Sequence, residues 1–146
     1  MRALPLLAVS AAIAGCAATA PLSFLSGQPQ SRAELHLYPV RIVSVDGEIH
    51  FNRPADRLNV APGLRWLVVE APPPRQGART SVQKSGAFRV EPCTHYWLAA
   101  RRDSAMAADW TLVVDRQERV AGCDPAEELR KASRAPGSGP AASAAR

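Results

Sequence analysis

The chain has 146 residues with 18 basic and 13 acidic side chains, a formal charge of +5, yet Arg2, Lys131, Arg134 and Arg146 sit at its two ends. With these four set aside the remainder is close to neutral, at about +1, so the electrostatic footprint of a nucleic-acid binder is missing. Without its apolar start and polar end the chain keeps roughly 110 residues, enough for one domain with a modest core.

The first predicted element is a leader over residues 1–15. Met1 and Arg2 precede the apolar run ALPLLAVSAAIAG, with no acidic residue before Cys16. This is the layout of a secretory signal: charged start, short apolar middle, small residues before a cut. As a helix the run would rise about 20 Å, against a hydrocarbon core of roughly 30 Å, too short to remain as a membrane span. Ile13, Ala14, Gly15 and Cys16 resemble the lipobox of bacterial lipoproteins. The resemblance implies that the leader is removed and that Cys16 is lipidated and becomes the first residue. Three acyl chains at about 0.8 kcal/mol per buried methylene exceed any reversible single-chain anchor. The other reading is a secreted protein cut after Ala20, with Pro21 directly behind the cut. By resemblance to the sorting rule of enterobacterial lipoproteins, Ala17 implies the periplasmic face of the outer membrane, with the inner membrane as the alternative.

Residues 16–34 are expected to be the lipidated cysteine and a tether, because AATAPLSFLSGQPQSRAE mixes Pro, Gly, Ser and Gln without periodicity. Phe24 and Leu25 are the residues able to dock it onto the domain.

Residues 35–130 are expected to form an all-β domain, a single small antiparallel β-sandwich. In VRIVSVDGEIHFN, two short runs rich in β-branched residues flank Asp46 and Gly47, the strongest short cue for a type I′ hairpin. Alternation then places Val40, Ile42, Ile49 and Phe51 on the core face. Leu58 and Val60 lead into the turn APG and a strand over 64–71, and the prolines 72–74 end it. Further strands are expected at TSVQK, AFRVE, THYWLAAR and WTLVVD, with a turn at Arg116 and Gln117 and a last short strand at Val120. DPAEELRKA reads as a helix: Asp124 can cap it, Pro125 suits its first position, and Glu127 and Glu128 sit near the positive end of its dipole. Residues 131–146, poor in large apolar side chains, are expected to be a disordered tail. VSVDG followed by LNVAPGLRWLVVEA resembles the turn chemistry of prealbumin-like and PEGA-type sandwiches of bacterial envelope proteins, which implies fold more than function.

With Cys16 given to lipid, Cys93 and Cys123 remain as an even pair, expected to form a disulfide in an oxidising compartment. A metal site built from these cysteines and His95 would lack a fourth ligand. Trp66, Trp97 and Trp110 are candidate stacking platforms for a glycan or peptide, with Trp110 the foremost; the alternative for each is core filling. No nucleophile elbow, zinc-protease, phosphate-loop or EF-hand pattern is present. The sequence therefore predicts no catalytic residue, metal or cofactor. It points to a membrane-anchored accessory or interaction module whose partner is an envelope protein, or alternatively a glycan such as a peptidoglycan fragment, and not a nucleic acid. An envelope hydrolase is a more distant alternative.

Overall fold

A computed structural model describes residues 22–32, 35–74 and 81–134. Cys16, the leader 1–15 and the tail from 135 onward lie outside the described residues.

The described residues are mostly β, with two sheets and one helix. The first sheet contains β1 (Phe24–Gly27), β2 (Leu37–Pro39), β5 (Leu58–Asn59), β8 (Thr94–Arg101) and β9 (Thr111–Arg119). Its centre is β8, THYWLAAR, whose aromatic and β-branched start and small residues suit a strand covered on both faces. Along one side β8 pairs antiparallel with β9. Along the other it pairs parallel with β1 over residues 95–98 and antiparallel with β2 over 99–101, so these two short strands lie end to end. The second sheet runs β4 (Glu48–Ile49), β3 (Arg41–Val45), β6 (Gly63–Ala71), β7 (Val82–Val90). Leu25, Tyr38, Tyr96, Leu98 and Ala100 from the first sheet meet Ile42, Val45, Leu67, Val69, Ala71 and Val90 from the second in one core.

Several expectations change. The tether expected over 16–34 gives up residues 22–32 to the folded domain, where β1 is an inner strand. SFLSG has no β-branched residue, so it carries no strand signal; it belongs here because the site is narrow. Ser23 and Ser26 are fully buried, and the Gly27 N–H donates to the Pro54 carbonyl at 2.5 Å. A Cβ at Gly27 would run into the Val40 carbonyl oxygen and lie 2.8 Å from that of Pro54. The parallel β1–β8 pair also departs from a purely antiparallel sheet. At the other end the helix α1 spans Pro125–Arg134 and carries the domain past residue 130.

The second change concerns the hairpin. Asp46 and Gly47 do form the turn, both at positive φ (50° and 88°), and Ser44 pairs with Ile49 and Val45 with Glu48. Ile49 and Phe51, however, are 63% and 93% exposed. A bulge between Ile42 and Ser44 shifts the register of β3 on β6, so Val45 faces Leu67 in the core while Ser44 pairs with Val68 and turns its partner Ile49 outward.

Third, the two strands expected over 81–91 are one. β7 pairs residue for residue with β6 from Val82–Ala71 to Val90–Gly63, and this ladder carries it through Ser85 and Gly86. β9 likewise continues past Arg116 and Gln117, with its irregularity a bulge at Asp115 opposite Trp97 and Leu98.

The Cys93–Cys123 disulfide is present, with Cα atoms 5.6 Å apart, and joins the turn before β8 to the start of α1. The Val120 N–H donates to the Cys93 carbonyl at 2.8 Å beside it. α1 is capped by Asp124, whose Oδ1 accepts from the Ala126 N–H at 2.9 Å.

Candidate functional site

The three tryptophans fall into three different environments. Trp110, just before β9, is 2% exposed and part of the core, which removes the foremost platform candidate from solvent. Its position is fixed by polar neighbours in the loop: Lys84 Nζ binds the Asp109 carboxylate at 2.5 Å and the Trp110 carbonyl, and lies 5.4 Å from the indole centre. Trp97, on the outer face of the first sheet, has the His95 ring centre at 3.6 Å and the Arg116 guanidinium 3.7 Å from its own ring centre. Little of its face is left for a sugar. Trp66 is half exposed, but on the outer face of the second sheet. The coplanar aromatic pair required by a stacking platform is therefore not assembled.

Trp97 belongs to a row that crosses the first sheet: Arg57 over Phe24, Phe24 edge-on to His95, His95 against Trp97, and Arg116 over Trp97. Within it His95 Nε2 and Ser26 Oγ are hydrogen-bonded at 2.9 Å. Burial, followed by the nearby Arg57 charge, lowers the imidazole pKa to about 4, against a partial counter-effect from Glu118 and a further lowering by Arg116. His95 is therefore neutral at pH 7. Ser26 is fully buried and His95 nearly so, and the hydroxyl is not presented to a solute. The pair escaped sequence reasoning because Ser26 lies in the segment read as a tether. Beside the row, Gln28, Gln30, Arg32, Trp97, Asp115 and Arg116 line a depression of about 390 Å³, within which Arg32 and Asp115 are ion-paired.

A second opening, of similar size, lies between the sheets. β7 and β9 are the last strands of their respective sheets, each nine residues long. Between them runs a groove of about 400 Å³ whose floor and walls include Leu67, Val69, Phe88, Trp110, Leu112 and Val114. The Lys84 contacts with Asp109 and Trp110 bridge the two strands at this groove. The buried Trp110 indole N–H meets no acceptor among the described residues. An edge strand beside an apolar groove can accept another strand by main-chain hydrogen bonds, with alternate side chains filling the groove. The sequence named the strands but not this relation, because the two edges become neighbours only through the sheet order.

Comparison with protein-family models, with curated proteins and with solved structures finds no match to this chain.

Proposed function

We propose that the protein is a lipid-anchored module of the bacterial cell envelope, held by Cys16 at the periplasmic face of the outer membrane, that binds an extended peptide segment of an envelope partner. The observation that carries the binding role is the apolar groove between the free edges of β7 and β9. The disulfide supports an oxidising compartment and leaves Cys16 as the remaining thiol of the chain. Anchoring confines the module near the membrane and raises its effective concentration there, so that a modest affinity suffices. The Asp46-Gly47 hairpin and the PG turn that introduces β6 support a reading of the domain as a prealbumin-like or PEGA-type sandwich.

The experiment is photo-crosslinking in cells from a reactive side chain placed at Leu112 in the groove, with Glu118 on the outer edge region as the control position. The reading expects an adduct to an envelope protein from Leu112 that is lost when Gly86→Trp fills the groove, and none from Glu118. No adduct from Leu112, or one unaffected by Gly86→Trp, would overturn it. If muropeptides instead shift the resonances of Trp97 and Arg116 and leave the groove unchanged, the glycan reading takes its place.

A further inference from the structure

We propose that the outer face of the second sheet, at Ile49, Leu64 and Trp66, rests on the lipid bilayer that holds the anchor; this rests on the lipidation of Cys16 proposed above. In β6 the residues facing outward are Leu64, Trp66, Val68 and Glu70, since Leu67, Val69 and Ala71 fill the core. Leu64 is 63% exposed and Trp66 54%. Ile49 reaches the same face through Ser44, which pairs with both Ile49 and Val68. Single exposed apolar side chains are ordinary, but these share one face of one sheet.

The choice of a bilayer as the occupant comes from where the chain leaves the domain. The Leu22 N–H is bound to Glu128, and the Ser23 hydroxyl donates to the Glu91 carbonyl at 3.0 Å. Glu91 follows Val90, which pairs with Gly63 at the start of β6. The chain therefore departs at the end of the sandwich where Leu64 and Trp66 lie. Six residue steps separate Leu22 from Cys16, a reach of at most about 20 Å when fully extended. A nine-residue strand is itself about 30 Å long, so an anchor at Cys16 keeps this end of the domain nearer the membrane than the far end of the sheet.

The chemistry of the face suits an interface. An indole with an apolar body and a polar N–H favours the headgroup level. Directly across from Leu64 stands the exposed Arg89, able to meet an anionic headgroup. With this sheet turned to the bilayer, the β7–β9 groove opens along the side of the domain and stays accessible to a partner.

The test uses the mature, full-length protein in vesicles of phosphatidylethanolamine and phosphatidylglycerol, with the mass of its N-terminal peptide recorded on the same sample. Leu64→Cys and, on the opposite sheet, Glu118→Cys are each labelled with an environment-sensitive fluorophore after folding. Acyl-chain bromination is expected to quench the Leu64 probe about twofold, matching burial of an interfacial side chain roughly 5–10 Å into the headgroup boundary, and to leave the Glu118 probe unchanged. Equal quenching at both positions or none at Leu64, with lipid present on Cys16, overturns the orientation and leaves the anchor standing. Crosslinking of Leu64 probes between two copies assigns the face to self-association and likewise overturns it. An N-terminal peptide without lipid removes the anchor and this inference together.

Discussion

The backbone N–H of Leu22 donates to Oε2 of Glu128 at 2.8 Å, across 106 positions of sequence. The first described residue is thereby fastened to the last described element. Glu128 is 2% exposed, and its other oxygen takes Lys131 Nζ at 2.8 Å.

Glu128→Ala leaves the Leu22 N–H without this acceptor and is expected to lower stability by about 1–3 kcal/mol, with Glu128→Gln losing less. Hydrogen exchange should report the change first at the amides of residues 22–25. Unaltered protection there would contradict the fastening. Burial pushes the Glu128 carboxyl up, but the Lys131 and Leu22 hydrogen bonds prevail and hold it below its usual 4.5. Its contribution is therefore present above about pH 4.5 and fades as pH falls through the lowered native value.

Much of the fold was legible locally. The Asp46-Gly47 turn, the strand β8 and the Asp124 cap each depend on residues adjacent in the chain, and each stands where the sequence put it. β1 was not legible: its signal is small size at Ser26 and Gly27, meaningful only once Val40 and Pro54 close over them. The outward turn of Ile49 depends on a bulge in a pairing between β3 and β6, which alternation within the hairpin cannot reveal. Trp110 is packed into a core shared by both sheets, beside Lys84, which sits 26 residues earlier on a strand of the other sheet.

Gly27→Ala is expected to prevent folding or destabilise by more than about 4 kcal/mol, because the atoms in its way are backbone carbonyls held by β1 and its neighbours. Gly86→Ala, whose Cβ would meet nothing within 4 Å, should be neutral or stabilise by up to about 1 kcal/mol. Thermal melts of the two variants decide; equal effects would mean that β1 is not an inner strand.

His95 makes stability depend on pH. Its pKa is lowered from 6.5 to about 4, so the unfolded chain takes up a proton first on acidification. The stabilisation from the neutral buried ring is complete above pH 6.5 and is lost as pH falls toward 4, by up to about 3 kcal/mol. Denaturant titrations at a series of pH values should show this slope, flattened in His95→Gln. A slope that persists in the variant would assign it to another group.

Replacing both Cys93 and Cys123 by Ala should cost about 3–4 kcal/mol, as expected for opening a closed loop of roughly 30 residues. Chemical denaturation of the oxidised protein and the double variant measures the difference. Two titratable thiols in the denatured, unreduced protein would contradict the bridge.

The anchor is tested most directly by the mass of the N-terminal peptide of the mature protein recovered from cell envelopes. The account predicts a peptide beginning at Cys16, heavier by a diacylglyceryl group on sulfur and a fatty acyl group on the amine. A peptide that begins at Met1, or one that carries Cys16 unmodified, would contradict it.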